Sequence, residues 1–232
     1  MLLLVAARDK TRGEPPKAAG PPAILDCMLN VRARGPIGVI INPLVALLAK
    51  TGLTPNALTI AGAVGTVVGA ALIARGELFW GVMLTTVFVL FDMVDGQLAR
   101  AQGKSGPWGA LLDSTLDRLS DGVIFAALVI WFGRSAPNEE PWIAGLALFC
   151  LLSGALVSYV KARAEGLGLA CNVGFAERAE RLIIVLVGTG LAGLGVGYVM
   201  AAALWFLAAA SVVTIGQRLA AVRRQVVALE PR

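Results

Sequence analysis

At 232 residues, 57% of them hydrophobic and only 15% charged, the chain has a mean hydropathy of +0.78. Water-soluble domains hold about 45–50% apolar and about 25% charged residues. A soluble core in a polar shell is therefore excluded, and an all-α integral membrane protein with several spans is predicted. The formal net charge of +5 is small and informs through its placement; no nucleic-acid partner is expected.

Met1 to Ala7 is apolar but too short for the core of a secretory signal, and no cleavage site follows. Residues 8–23, rich in Arg, Lys, Pro and Gly, read with the start as a disordered cytoplasmic tail over 1–23, ahead of a single membrane domain over 24–225. The apolar run Ile37 to Leu48 is broken by Asn42-Pro43, flanked by Arg34 and Lys50, and too short to span. It predicts an interfacial, juxtamembrane helix over about 36–51. Thr54 and Pro55 then supply N-cap and first-turn signals for the first span. Six transmembrane helices are predicted over 54–75, 78–101, 108–132, 141–164, 178–196 and 198–220, with a tail at 226–232. Each span is near the length needed to cross about 30 Å of hydrocarbon.

Arg75-Gly76-Glu77 reads as an outer turn, and Gly103 to Pro107 as a short inner one. With the N-terminus inside, 18 of the 20 Lys and Arg residues fall on the inner side and only Arg75 and Arg134 outside. The positive-inside rule then predicts a multi-pass protein of the cell membrane with both termini cytoplasmic. Gly62, Gly65, Gly69, Gly188, Gly190 and Gly193 offer the small surfaces that helices need for close packing in lipid, and would suit a homodimer. Cys27, Cys150 and Cys171 lack metal-ligand spacing and read as small apolar side chains.

The chemistry is carried by Asp92-x-x-Asp95-Gly96-x-x-Ala99-Arg100 and Gly109-x-x-x-Asp113-x-x-x-Asp117. A carboxylate at membrane depth costs about 2.5–3.5 kcal/mol on insertion scales, so four of them must face one another, a cavity and a cation. Asp92 and Asp95 are i and i+3, and Asp113 and Asp117 are i and i+4, so each pair shares a helical face. Helices joined by a short turn are expected to bring those faces together near the cytoplasmic side. Hard divalent cations such as Mg²⁺ take such oxygen ligands, and four carboxylates suit two ions, with Mn²⁺ as an alternative. Gly96, Ala99 and Gly109 clear space beside the aspartates, and Arg100 is placed to pair with a phosphate.

The eight fixed positions from Asp92 to Asp117 resemble those of the CDP-alcohol phosphotransferases, D-x2-D-G-x2-A-R-x8-G-x3-D-x3-D. The likeness extends to the opening of the first span and implies contacts to a CDP-lipid from Pro55, Asn56, Ala57 and Leu58 as well as from Gly96, Ala99, Arg100, Gly106 and Gly109. Gly106 stands where many relatives carry Ser or Thr, so a backbone contact is implied there. By this resemblance a phosphoalcohol moves from a CDP-alcohol to an acceptor hydroxyl with release of CMP. Asp92, Asp95, Asp113 and Asp117 would hold the metal ions and Asp117 would be the general base. The chain contains no His, so a carboxylate base is in keeping with its composition.

Ser158, Lys161, Arg163, Arg178, Arg181 and Arg218 lie at the inner ends of three predicted spans. That much positive charge suits a phosphorylated acceptor. The segments 158–165 and 172–181 resemble the actinobacterial phosphatidylinositol phosphate synthases, which implies CDP-diacylglycerol and inositol phosphate as substrates in a setting of membrane lipids. Phosphatidylglycerophosphate synthesis from glycerol 3-phosphate needs the same basic pocket. A cation transporter is the more distant alternative, and the gathering of every polar feature at one face argues against it.

Overall fold

The structure is a computed structural model describing residues 54–103, 106–135, 142–175 and 177–229, all within the unit Leu44–Arg232. The side chains of Met93, Arg100, Ala101 and Ser135 are outside the description. The expected tail over 1–23 and the interfacial helix over 36–51 lie outside the described residues. Those residues form six helices and no strand: α1 Pro55–Ala74, α2 Leu78–Ala101, α3 Pro107–Ser135, α4 Trp142–Gly166, α5 Arg178–Gly193 and α6 Val199–Leu229.

Local chemistry sets the boundaries. Thr54 is extended, and its hydroxyl accepts from the Ala57 N–H at 3.3 Å while Pro55 occupies the first turn. At the other end of α1, Gly76 takes φ 92°, a left-handed conformation that glycine adopts without a Cβ clash. The Glu77 N–H then closes onto the Leu72 carbonyl at 3.0 Å, so Leu78 can begin α2 at once. The longer connection after α4 is tied down along α6. Gln225 donates to the Ala170 carbonyl at 2.7 Å and accepts from the Ala170 N–H at 3.0 Å, and Thr214 accepts from the Phe175 N–H at 3.2 Å.

The principal contacts run α2–α1–α3–α4–α6–α5 and back to α2, so the helices close a ring. The aspartate-bearing α2 and α3 are not principal partners of each other; α1 packs against both. A direct seam between them was expected from the short turn, and the bulk of α1 replaces it. Close approach of α1 and α2 depends on glycine. A Cβ on Gly69 would stand 2.9 Å from the Gly81 carbonyl, and one on Gly81 would stand 2.8 Å from the Gly69 carbonyl. The shared core contains Ile73, Ile124, Leu128, Val185, Leu204 and Leu207, all fully buried. Outward-facing positions are also apolar, among them Val64, Val68, Leu152, Ile183 and Val213. An apolar exterior around an apolar core fits lipid as the outer solvent.

Among the described residues four helices are long and apolar enough to cross a membrane: α1, α2 over Leu78–Ala99, α4 and α6. Helix α3 carries Asp113, Asp117, Arg118 and Asp121 in its first half, and α5 has only 16 residues. Helix α6 continues to Leu229 and so includes residues 226–229, which the sequence placed in the tail.

Overpacking of the α1–α2 contact is directly testable. Gly81→Val should destabilise the bundle by about 1–3 kcal/mol, lowering the apparent Tm of the detergent-purified protein. Gly145→Ala, where a Cβ would meet nothing within 4 Å, should leave Tm unchanged or slightly raised. Equal Tm for Gly81→Val and wild type would show that the two helices do not approach this closely.

Candidate active site

Three helices meet around the carboxylates. Asp92 and Asp95 come from the last turns of α2, and Asp113 and Asp117 from the second and third turns of α3. Carboxylate oxygens of Asp92, Asp95 and Asp113 all lie within 4.8 Å of one another, an arrangement able to hold a divalent cation. Asp95 is buried, and Thr59 of α1 donates its hydroxyl to Asp95 Oδ2. The same hydroxyl lies 3.0 Å from the Pro55 carbonyl. It has one proton to give, and the ionised carboxylate is the stronger acceptor. Thr59 therefore fixes the rotamer of Asp95.

Asp117 stands outside that triad. Its Oδ1 lies 2.9 Å from Arg178 Nη1, which is also 3.2 Å from Asp92 Oδ2. The Arg178 contact to Asp92 has hydrogen-bond geometry. The contact to Asp117 is an ion pair by distance only, since Asp117 Oδ1 is buried and has no hydrogen-bond partner. Arg118 Nη2 approaches Asp117 Oδ2 at 3.7 Å from the more exposed side. Arg178 is thus drawn into the carboxylate cluster, although the sequence assigned it to the acceptor alone.

The small residues expected beside the aspartates border open space. A Cβ on Gly96 or Gly106 would meet nothing within 4 Å, and one on Gly109 would stand 3.6 Å from Asn56 Oδ1. The first turn of α1 therefore faces the first turn of α3. Pro55 and Leu58 are buried, Asn56 and Ala99 half-buried, and Ala57 exposed. The side chain of Arg100 lies outside the described residues.

Beside the cluster opens a cavity of about 580 Å³ whose charged lining is Arg118, Lys161, Arg178, Arg181 and Arg218 against Asp121, Glu165 and Glu177, with Ser158 among the uncharged residues. Arg163 is exposed and is not part of that lining, because two residues along a helix turn a side chain away from Lys161. Arg181 is 3% exposed and donates to Asp121 Oδ2 at 2.7 Å and to the Gly154 carbonyl at 3.3 Å. A Cβ at Gly154 would sit 3.2 Å from Arg181 Nε, so glycine lets this guanidinium lie against α4. Arg218 is held by protein acceptors on all three nitrogens: the carbonyls of Val173 at 2.8 Å and Val157 at 2.6 Å, and Glu177 Oε1 at 3.1 Å. Ser158 Oγ accepts from Arg118 and lies 3.2 Å from the Gly154 carbonyl.

Thr59, Arg118, Asp121 and Glu177 are the participants that sequence reasoning missed. Asp121 carried a signal, since it continues the four-residue spacing of Asp113 and Asp117 along α3. Nothing local to Thr59 or Glu177 announces a partner on another helix.

This arrangement has close counterparts. The phosphatidylinositol phosphate synthase of Corynebacterium glutamicum is 45% identical over 194 residues, covering 83% of this chain and 88% of that protein. The enzyme of the same name from Streptomyces avermitilis is 43% identical over 215 residues, covering 89% and 87%. The crystal structure of Mycobacterium tuberculosis phosphatidylinositol phosphate synthase with CDP-DAG bound superposes with a TM-score of 0.74 at 42% identity, covering 79% of this chain and 93% of that one. A second structure of that enzyme, in complex with manganese and citrate, also gives 0.74, at 41% identity over 78% and 88% of the two chains. Residues 52–216, from just before the Thr54 cap to the middle of α6, match the CDP-alcohol phosphatidyltransferase family, a span that holds every site residue described above except Arg218. With both aspartate pairs inside that match, the chain belongs to the CDP-alcohol phosphatidyltransferase family.

Proposed function

We propose that this protein is a phosphatidylinositol phosphate synthase, transferring the phosphatidyl group of CDP-diacylglycerol to a hydroxyl of inositol phosphate and releasing CMP. The observation that carries the reading is the contiguity of the carboxylate cluster with a cationic cavity, the two sharing Arg178. Arg181 Nε, buried without a hydrogen-bond partner, and Lys161 on the same cavity offer donors that a phosphate ester would take and a neutral acceptor would use poorly. The relatives named above point to the same acceptor.

The donor set fits a hard divalent cation: three converging carboxylates with a fourth close by and no nitrogen or sulfur ligand among them. Asp92, Asp95 and Asp113 would hold magnesium or manganese, with Asp117 completing a second position. A cation there supplies neutralisation of the diphosphate charge that grows as the P–O bond breaks. The open surface at Gly96, Gly106 and Gly109, facing Asn56, admits the cytidine diphosphate beside the cluster. Lys161 and Arg181 hold the acceptor phosphate, and Arg218 holds the wall they stand on by binding α4 and the following connection to α6. Asp117 takes the proton of the attacking hydroxyl, freeing the acceptor oxygen as nucleophile. The new bond forms from that oxygen to the phosphatidyl phosphorus, and CMP leaves with the electron pair of the broken bond. We place all six helices across the cell membrane with this site at the cytoplasmic end, where the basic residues concentrate.

Asp92→Asn, Asp95→Asn and Asp113→Asn should each remove turnover while the protein still purifies, and calorimetry should show weakened binding of Mn²⁺. For Asp117→Asn, kcat should fall by about 10²–10⁴, with the KM for CDP-diacylglycerol little changed. A variant of the first three that retains both turnover and metal affinity counts against the ligand assignment.

Acceptor choice tests the name itself. Purified protein with CDP-diacylglycerol and Mg²⁺ should release CMP much faster with inositol phosphate than with free inositol or glycerol 3-phosphate. Lys161→Gln should raise the acceptor KM roughly tenfold or more, as expected for loss of about 1.5–3 kcal/mol, whereas Arg163→Gln should leave it near wild type. Preference for glycerol 3-phosphate would keep the pocket and change the product; equal use of free inositol would sink the reading.

A further inference from the structure

Asp121 falls outside the aspartate pattern of the family motif, yet with Asp95 it is one of two buried acids among the described residues. Its two oxygens serve two different arginines on α5, one turn apart. Oδ1 accepts from Arg178 Nε at 3.3 Å, and Oδ2 accepts from Arg181 Nη2 at 2.7 Å. Two guanidiniums at i and i+3 repel each other, and burying Arg181 without a counter-charge would be strongly unfavourable. Asp121 offsets both terms. It also settles where each group can reach. Arg178 is held at Nε, so its Nη1 end extends to Asp92 and Asp117. Arg181 is held at Nη2 by Asp121 and at Nη1 by the Gly154 carbonyl, which leaves its buried Nε without a protein partner on a residue that lines the cavity.

We propose that Asp121 is a positioning residue for the acceptor: it touches no reacting atom, but by holding Arg178 and Arg181 together it fixes the grip on a phosphate monoester beside Asp117. The inference rests on the acceptor reading given above and deepens it. An amide at this position has nearly the same shape but offers one oxygen and one NH₂, so one of the two arginines would face a donor instead of an acceptor. A geometric fault of this kind acts on the phosphorylated acceptor and spares the CDP-lipid, whose contacts the family resemblance assigns to α1, α2 and the start of α3.

The test uses the full chain in lipid nanodiscs, with CDP-diacylglycerol and the phosphorylated acceptor that the wild type turns over fastest. The wild type alone decides which acceptor that is, so the two readings fail separately. Asp121→Asn should raise the acceptor KM about tenfold and leave the KM for CDP-diacylglycerol within about twofold. Asp121→Glu, which restores the charge but displaces it by one methylene, should fall between the two. Thermal protection by the acceptor, read as a Tm shift without turnover, should shrink in the same order. Asp121→Asn with wild-type acceptor KM overturns the proposal, as does a parallel change of both KM values with a lowered basal Tm, the mark of a purely structural role. If Asp121→Asn does not purify, Asp121→Glu decides: a raised acceptor KM alone supports positioning, and a wild-type value overturns it.

Discussion

Carboxylates gathered at one end of an apolar bundle repel one another, and Arg178 is the group through which that repulsion is offset. A single guanidinium on the first turn of α5 reaches Asp92 on α2 and both Asp117 and Asp121 on α3. Helices α2 and α3 are not principal packing partners, so the charge contact does there what side-chain interdigitation does elsewhere in the ring. The position of α5 in the bundle is therefore also an electrostatic constraint. Moving that helix by one turn would strand an arginine and three acids in an environment where unpaired charge is strongly unfavourable.

Helix α1 supplies the complementary constraint. Its glycine face allows backbone-to-backbone approach to α2, and the hydroxyl of Thr59 reaches Asp95 because of that approach. The same helix presents Asn56 toward Gly109 at the start of α3. Both halves of the aspartate motif are thus referenced to α1 and not to each other. Such an arrangement brings carboxylates of both halves within 4.8 Å of one another without direct packing of the two helices.

What could be read along the chain was whatever depends on neighbours within one helix. The Thr54 cap, the turn at Gly76, the pairing of Asp92 with Asp95 and of Asp113 with Asp117, and the open surface at Gly96 follow from spacing and side-chain size. What depends on the rotation of one helix against another was not legible. Arg178 counted as one more basic residue at a helix end, and its insertion among the acids required knowing which face of α5 meets α2 and α3. Arg218 carried the same signal, yet its donors end on two carbonyls and Glu177. Arg163 was grouped with Lys161 by proximity in sequence, where helical periodicity would have separated them. Helix α3 is a further case: its acids lower its hydropathy, so composition alone separates it from the four more apolar helices.

Helix α6 has 31 residues, a length of about 46 Å at the usual rise per residue, against a hydrocarbon slab of about 30 Å. Several turns must therefore stand clear of the slab, and the charged end of the helix is the one that carries Arg218, Gln225 and the connection pinned to them. One wall of the cationic cavity is accordingly carried toward the end of α6 that exceeds such a slab. A water-soluble, multiply charged ligand could dock against such a wall while keeping part of its hydration shell. A helix longer than the membrane is thick can thus lend a charged site a wet wall without breaking the apolar bundle.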